Sequence, residues 1–550
     1  MISSLFVLSM LIGVSGAILS RERYARFVSL LMAIIGLGLL YAFGYHLQNG
    51  ETQQAIWTLL DYKRFRVDLN LSSNIRNYTT LLPFFIMTII SLLHTYFVAQ
   101  EERRGRLSSF MLISLAFLMI PICNDNLLLL IVGCSLCGIV GIYIVNDFAG
   151  KKNYVFYTLV ADMSLFASMG IIYSHTQSLD LSIIHNSISS YQHLELVTFL
   201  LLIGIAIKSG LFLFHQQIFS YSDLTYNRLL FLSYCVAPAC GLILFLQTSS
   251  LFYASTISQH ILLILSVGSM IYGLVGALLY DNLKEKSLSL NMLFWGFLYS
   301  QAILSKTSII QSQWELLVLF YALNLLLSAI SQSCSEEIYI SRLGGLRRKL
   351  PLLLFIGILL SFAIIQRLIV NTDNYQNWIL LGAIVIIISY LLRQIFFGIS
   401  ETDDKVWAFM KHPPLILILV LCVLPSTFIY LNNYYSWQLI LCEAILLFLV
   451  VVYPLRSLQQ IYEEDNIQLS NFFERLYEVV LLAPLNILGR VLWLTVDFLL
   501  IERTILSSIS HVRNVLINLS GRMHSCRLIG YIFTTLLGLA IISIFGVLRS

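Results

Sequence analysis

Two charged side chains inside apolar segments are the residues of this chain with the clearest capacity for chemistry. Lys208 lies in the apolar segment GIAIKSGLFLF, and Asp162 lies in an apolar segment that precedes it. A charge within the hydrocarbon of a bilayer is costly unless it has a partner or a role. On a continuous helix, His215 would lie two turns beyond Lys208 on the same face. We therefore predict that Lys208, Asp162 and His215 are candidates for proton transfer.

The same residues allow less specific interpretations. A lysine can extend its amine to the membrane surface, although the mid-segment position of Lys208 argues against this. Asp162 is nearer to the end of its segment, where an interfacial carboxylate is an equal alternative. Gly204 and Gly210 flank Lys208 and predict a helix that is loosened there, which a membrane tolerates only where the backbone lines a cavity.

The composition places the chain in a bilayer and excludes several classes of function. Hydrophobic residues make up 58% of it and charged residues 11%, and its mean hydropathy is +0.84. The net charge of +4 is spread over short loops, so nucleic acid is not a predicted partner. Cys134 and Cys137 lack a second cysteine pair or a nearby histidine, so we predict no metal site. The sequence carries no flavin, quinone, haem, iron–sulfur or nucleotide motif, so we predict no cofactor and no catalytic residue.

Apolar segments long enough to cross a membrane recur along the chain and predict an all-α polytopic membrane protein with about sixteen transmembrane helices. Lysine and arginine concentrate in the odd-numbered loops, which the positive-inside rule places in the cytoplasm. We therefore predict a multi-pass protein of the inner (plasma) membrane, embedded in the lipid bilayer, with both termini on the outer side. The predicted spans centre near residues 10, 36, 88, 115, 136, 164, 208, 238, 270, 297, 323, 360, 386, 423, 446 and 538.

Residues 471–526 carry a pattern that predicts a helix lying along the membrane. The segment Arg490–Ser520 contains neither proline nor glycine and mixes polar residues into a helical pattern. After a membrane span, an uninterrupted helix of that length has to run along the membrane surface. We predict a lateral amphipathic helix over residues 471–526 and a terminal anchor span over residues 527–550.

Several short motifs occur in a fixed order along essentially the whole chain. They are Asp125-Asn126-Leu127-Leu128 with Gly133, Gly138 and Tyr143; Asp162; Lys208-Ser209; Gly344-Gly345-Leu346-Arg347 with Pro351; His412-Pro413; and the C-terminal series Phe473, Tyr477, Pro484, Gly489-Arg490, Trp493, Asp497 and Gly530-Tyr531. Together they resemble the L subunit of respiratory complex I, a family related to the large Mrp-type cation/proton antiporter subunits. The C-terminal series is the most specific part, because a lateral helix distinguishes L-type subunits from their shorter relatives.

The resemblance implies an antiporter-like inverted-repeat bundle and a division of the chain. Residues 1–105 would form spans 1–3, residues 106–250 a first antiporter-like repeat of spans 4–8, and residues 251–400 a second repeat of spans 9–13. Residues 401–470 would form spans 14 and 15, before the lateral helix and the anchor. The partners implied are other membrane subunits of a complex I-like or antiporter assembly.

The chain departs from the family along the polar axis through which family members are thought to move protons. A proton path needs groups that titrate, whereas leucine does not titrate and a tyrosine with an ordinary pKa of about 10 stays neutral. We therefore predict that the second half does not conduct, and that Lys208 with Asp162 is what remains of the axis. The substituted positions are Ser135 for a glutamate, Ser233 for a histidine, Tyr321 for a lysine and Leu317 for a histidine, and no lysine lies between residues 349 and 405.

The function predicted from these features is that of an L-type membrane subunit of a proton-translocating NADH:quinone oxidoreductase. Its proton axis would be degenerate and centred on Lys208, and the redox chemistry would belong to partner subunits. Two other hypotheses stay open: a subunit of a monovalent cation/proton antiporter, and a structural paralogue that does not pump. The lateral helix favours the first hypothesis over the second, and the missing axis favours the third over both.

Overall fold

The computed structural model describes residues 22–48, 55–62, 65–71, 75–97, 104–145, 150–187, 194–304, 310–334 and 351–370, together with scattered single positions up to residue 396. The predicted spans 14 and 15, the lateral helix over residues 471–526 and the terminal anchor over residues 527–550 lie outside the described residues. So does the first span, apart from Leu11 and Val14.

The described part is mostly helical. Every predicted span centre from residue 36 to residue 360 falls inside a helix, so the all-helical membrane bundle is confirmed in this range, while the total of about sixteen spans stays a prediction. The helices are α1 Glu22–Gln48, α2 Ile75–Phe97, α3 Arg104–Cys123, α4 Leu127–Val145, α5 Gly150–Thr176, α6 Leu181–Asn186, α7 Leu194–Ser209, α8 Gln216–Phe219, α9 Tyr226–Phe231, α10 Ala237–Ala254, α11 Thr256–Leu279, α12 Leu283–Leu304, α13 Ile310–Ser333 and α14 Pro351–Val370.

Five helical segments in the described residues are long and apolar enough to cross a membrane. Gly105–Cys123, Leu127–Val145 and Lys151–Thr176 come from the first half of this range, and Tyr226–Ala254 and Thr256–Leu279 follow them. The segment Tyr226–Ala254 is almost entirely enclosed by its neighbours, whereas Lys151–Thr176 presents large apolar side chains such as Phe156 and Met163 outward. An apolar outer surface on a helical bundle fits a multi-pass membrane protein surrounded by lipid.

A β-hairpin corrects the prediction of an all-α chain. Strands β1 (Ala55–Tyr62) and β2 (Phe65–Leu71) pair antiparallel, with Tyr62 opposite Phe65. Apolar residues alternate with polar ones at the end of β2, in VDLNL, which is a strand pattern. The segment lies between the second and third predicted spans, centred near residues 36 and 88, and its charges are typical of a loop. Charged residues are also common on the edge strands of a hairpin.

Helices α11 and α12 approach one another closely through glycines. A Cβ at Gly273 would lie 2.5 Å from the Leu293 backbone nitrogen, and a Cβ at Gly296 would lie 2.6 Å from the Ser266 carbonyl oxygen. Backbones can come this near only where the side chain is missing, which is the usual way in which helices pack tightly in a membrane. This contact fixes α12, which also contacts two interrupted helices of the bundle.

Two helices in the centre of the bundle are interrupted. Helix α7 ends at Ser209 and is followed by turns and the short helix α8. The segment Tyr226–Ala254 contains a π-helical stretch, Leu232–Val236, between α9 and α10. π-helical turns inside α-helices occur most often at functional sites. These two interruptions mark the candidate functional site.

Candidate functional site

Helix α7 stops immediately after Lys208 by a glycine-based cap. Gly210 has φ of +60°, its N–H donates to the Ile207 carbonyl at 3.0 Å, and the Leu211 N–H donates to the Ala206 carbonyl at 3.0 Å. This pair of hydrogen bonds, with a glycine in the left-handed region, is the Schellman motif that closes many helix C-termini. Lys208 therefore occupies the last turn of a helix, whose partial negative charge favours a cation.

This cap corrects two predictions made from the sequence. Lys208 does not lie in the middle of a continuous span, and His215 is not on the same helical face, because the helix ends between them. The prediction that the backbone is interrupted at Gly210 is confirmed. Gly204, in contrast, lies within α7, where a Cβ would stand 2.5 Å from Leu165 Cγ of α5.

The Gly204 contact explains how Lys208 meets Asp162. Lys208 follows Gly204 by one helical turn, and Asp162 precedes Leu165 by about one turn, so the two residues lie on the faces that α5 and α7 turn toward each other. The Lys208 Nζ is 2.8 Å from Asp162 Oδ1. It also donates to the Cys134 carbonyl oxygen of α4 at 3.5 Å. The sequence thus identified both members of the ion pair, and the structure brings them together.

The ion pair is largely withdrawn from solvent. The Lys208 side chain is 4% exposed and the Asp162 side chain 17%. A buried charge that loses its partner is strongly destabilising, whereas a paired one offsets much of its desolvation cost. Pairing with Asp162 therefore stabilises the charged amine in this buried position.

The buried thiols of Cys134, Cys137 and Cys240 lie near the pair. Cys134 Sγ lies 3.8 Å from the Cys240 carbonyl oxygen, and Cys137 Sγ lies 3.6 Å from the Ser114 carbonyl oxygen. These distances are those of weak thiol hydrogen bonds. Among the described residues, no group of three histidine, cysteine, aspartate or glutamate side chains is placed to hold a metal ion.

His215 lies in an aromatic environment beyond the helix interruption. Its ring centroid is 4.3 Å from that of Tyr272, 5.9 Å from that of Phe219 and 6.2 Å from that of Phe212. The residue precedes the short helix α8, so its position depends on the turn that follows the cap. The structure brings Lys208 and Asp162 into direct contact and gives His215 a separate, ring-lined site.

The second interruption carries a neutral hydrogen-bond network. Asn291 Nδ2 donates to Ser233 Oγ at 3.0 Å, and the Trp295 indole donates to the Ser233 carbonyl at 3.1 Å. Asn324 Nδ2 lies 2.8 Å from both Tyr234 OH and Asn291 Oδ1. Every side chain of this network is buried. The second half, for which the sequence predicts no proton conduction, therefore contains buried polar groups that satisfy one another's hydrogen bonds.

Sequence reasoning missed several residues of this region. Lys286 belongs to the charged run DNLKEK, which the positive-inside rule assigns to a loop, whereas the residue lies in the first turn of α12 with a buried side chain. His94 of α2 is also buried, with its Nε2 3.4 Å from Gln332 Nε2. Asn291 and Asn324, the central members of the network, drew no attention. The available signal was polar amides within apolar helices, since such groups need partners in a membrane.

The cap predicts a measurable cost for a small substitution. Gly210→Ala is expected to lower the free energy of unfolding by at least about 1 kcal/mol, because a Cβ is disfavoured at positive φ. The added Cβ would also stand 2.3 Å from Ile218 Cδ1. The loss would be measured as a lower midpoint of thermal unfolding of the purified protein. Gly170→Ala in α5 is the matched control, because a Cβ there has nothing within 4 Å, and a helical alanine should be neutral or stabilising.

Three comparisons with known proteins agree with this architecture. Residues 124–366 match the family described as NADH:quinone oxidoreductase/Mrp antiporter, transmembrane. A curated relative, the NADH-quinone oxidoreductase subunit L of Buchnera aphidicola subsp. Baizongia pistaciae (strain Bp), is 26% identical over 321 residues, which cover 54% of this chain and 50% of the relative. The chain thus spans about half the length of the curated relative that it matches.

A solved structure extends the likeness beyond the matched segment. A chain of the Mrp complex from Dietzia sp. DQ12-45-1b superposes with a TM-score of 0.64 at 14% sequence identity, over 99% of this chain and 63% of that one. At this identity the likeness concerns the fold. The segment that matches the family contains the ion pair, its helix cap and the π-helical interruption. Residues 124–366 are thus similar to the transmembrane part of the NADH:quinone oxidoreductase/Mrp antiporter family, and the fold of the chain is that of an antiporter-like membrane protein.

Proposed function

We propose that this chain is an L-type membrane-arm subunit of a proton-translocating NADH:quinone oxidoreductase. In this proposal Lys208 binds and releases a proton opposite Asp162, and partner subunits carry out the redox chemistry. The resemblance to subunit L along the chain supports the assignment to the complex. The protein would lie in the inner (plasma) membrane, with its neighbours in the assembly beside it and lipid around the rest.

The ion pair at the end of α7 is the observation that carries the proposal. A cation in the interior of a membrane protein needs a compensating charge, and Asp162 supplies it at 2.8 Å from the amine. If the distance between the two groups increases, desolvation disfavours the charged amine, which then releases its proton. The interruption of the helix directly after Lys208 gives the backbone a place at which such a displacement can occur.

The hydrogen bonds of Ser233 and Tyr321 support a role in proton transfer that is limited to the region of Lys208. Ser233 and Tyr321 stand where the resemblance implies a histidine and a lysine, and both are held in neutral hydrogen bonds, with Asn291 and Ser91 respectively. Neutral amides and hydroxyls bind a proton far less readily than an amine or an imidazole. We infer that proton loading is confined to the first half of the bundle, around Lys208.

A second candidate function is that of a cation/proton antiporter subunit. The fold likeness to the Mrp complex over 99% of the chain favours it. In that case the same ion pair would handle a proton or a cation within a different assembly. A non-pumping structural paralogue is the third candidate, favoured by the neutral hydrogen-bond network around Ser233 and Asn324. The identity of the partner subunits separates the first two functions, and the proton uptake of Lys208 variants separates the third from them.

Purification of the full chain in a mild detergent tests the proposal. We expect subunits of an NADH:quinone oxidoreductase to be recovered with it, and their recovery to fall at least about tenfold when residues 471–550 are deleted, because assembly depends on the lateral contact while insertion of each span depends on local hydrophobicity. Immunoblots of the membrane fraction would verify that the shortened chain still inserts.

The composition of the purified assembly decides between the oxidoreductase subunit and the antiporter subunit. Recovery with the subunits of a cation/proton antiporter would replace the proposed function by the second one. Equal recovery of oxidoreductase subunits with the full and shortened chains would contradict a bridging role for residues 471–526, without affecting the assignment to the complex.

A further inference from the structure

Ser209, the residue next to Lys208, is held between two helices. Its Oγ shares a hydrogen bond of 2.5 Å with the hydroxyl of Tyr299 on α12. On its other side is Gly241 of α10, where a Cβ would stand 2.1 Å from Ser209 Oγ and 3.0 Å from the Ser209 nitrogen. All three residues are buried. The end of α7 therefore has little freedom to move unless the bond between Ser209 and Tyr299 is broken.

The position of Ser209 determines where the Lys208 amine lies. Ser209 is the last residue of α7 and directly precedes the Gly210 turn, so a displacement of its backbone displaces the whole cap. The attraction between Lys208 and Asp162 weakens as the distance between their charges grows, and it does so steeply in a poorly screened interior. A small shift of the helix end is enough to change how strongly the amine holds its proton.

Helix α12 contacts both interruptions from one face. Trp295, which donates its indole N–H to the Ser233 carbonyl of the π-helical stretch, precedes Tyr299 by four residues. Residues four apart in a helix project from the same side. The Tyr299 ring packs at 5.6 Å from that of Phe245 in α10, so its hydroxyl is directed by a fixed aromatic contact. Tyr299 is thus an ordered support for the end of α7.

We propose that Tyr299 is a positioning residue for Lys208. Its hydroxyl holds Ser209, and through Ser209 it keeps the C-terminal turn of α7 at the distance at which Lys208 and Asp162 pair. The inference rests on the proposed function, since it assigns to Tyr299 control over the proton affinity of the Lys208 amine. It extends the site to α12, a helix that contributes no charge to the ion pair.

The test uses the full chain with Tyr299→Phe, which removes the hydroxyl and keeps the ring, and with Ser209→Ala, which removes the other partner. Tyr321→Phe is the matched control, because Tyr321 is equally buried and its hydroxyl also has a 2.5 Å hydrogen bond, to Ser91. Variants would be compared only where partner subunits are recovered at the wild-type level. The two single substitutions combined should add little to either alone, because both remove the same bond.

The first measurement is hydrogen–deuterium exchange of the purified assembly. We expect the amides of Gly210 and Leu211, which form the cap, to exchange on the order of tenfold faster in Tyr299→Phe and Ser209→Ala, because the cap opens more often. Tyr321→Phe should leave these amides at the wild-type rate. Unchanged exchange in Tyr299→Phe would overturn the proposal, whatever the transport measurements show.

The second measurement is the pH dependence of proton uptake by membrane vesicles that contain the complex. A weaker ion pair loses its proton more readily, so the decline of uptake with rising pH should move to lower pH in Tyr299→Phe, by about half a unit or more. If the amount of proton uptake changed while the pH at the midpoint of its decline did not, Tyr299 would have a structural role only. That result would overturn the proposal. If the cap amides exchange faster in Tyr299→Phe but wild-type vesicles show no coupled proton uptake, the proposed function fails. The hydrogen bond by which Tyr299 restrains the end of α7 would still be supported.

Discussion

Lys208→Ala is expected to lower the proton uptake coupled to the host complex by a factor on the order of ten or more, with assembly retained. The amine is the basic group of the ion pair, and alanine at this position cannot bind a proton. Losing a positioned proton-transfer group usually lowers the rate by a factor of about 10² to 10⁴. Proton translocation through other subunits would make the observed loss of uptake smaller. Uptake would be measured in membrane vesicles, with NADH oxidation recorded in parallel.

The expected loss of proton uptake has to be distinguished from a loss of uptake that results from misfolding. Lys208→Ala leaves Asp162 without its partner, and breaking a buried ion pair can cost about 3 to 5 kcal/mol, less here because Asp162 is 17% exposed. The double variant Lys208→Met with Asp162→Asn removes both charges and keeps similar volumes, so it should be more stable than Lys208→Ala and equally inactive. Leu317→Ala in α13 should leave uptake unaffected, because no proton path is expected at that position.

Retention of full uptake by both Lys208 variants would remove the basis of the proposed mechanism. The chain would then be a scaffold with the fold of an antiporter subunit. Loss of uptake together with loss of partner subunits would point to folding and not to proton transfer, which is why the double variant is needed. Loss in both variants, with partners retained, is the result that the ion pair predicts.

The sequence was sufficient to predict the helices and to single out both members of the ion pair, because each depends on a local signal. A long apolar segment predicts a membrane helix, and a lysine or aspartate within it stands out against that background. The end of α7 also had a local signal that was not used. A lysine, a serine and a glycine in succession are typical of a helix C-terminus, and they place His215 beyond the helix.

The second half could not be predicted in the same way, because its chemistry depends on contacts between distant residues. Asn324 and Asn291 are 33 positions apart, and Tyr234 is a further 57 positions from Asn291. A single amide in an apolar helix shows that a partner exists without showing which residue it is. Lys286 was misplaced because the positive-inside rule assigns a cluster of charges to a loop, whereas the start of α12 buries its side chain.

Asn324→Leu is expected to lower the stability of the protein by about 2 to 4 kcal/mol, because it deprives three buried groups of their partner. Its side-chain nitrogen lies 2.8 Å from Tyr234 OH and from Asn291 Oδ1, and its oxygen accepts from Ser287 Oγ. Interhelical hydrogen bonds in membranes are worth about 0.6 kcal/mol on average and up to about 1.7, so three bonds together account for this range. Thermal unfolding of the purified protein in detergent would measure it.

Ser328→Ala is the matched control, and it also tests whether the network is structural. Ser328 follows Asn324 by one turn of α13, is fully buried, and its Oγ makes no hydrogen bond among the described residues, so its removal should be neutral or slightly stabilising. Asn324→Leu should lower the midpoint of thermal unfolding and leave the coupled proton uptake of assembled complexes unchanged, because the amide does not titrate. A variant of wild-type stability that has lost uptake would show instead that protons pass along Asn291, Asn324 and Tyr234. In that case the second half would conduct through neutral groups, and the restriction of proton loading to Lys208 would be wrong.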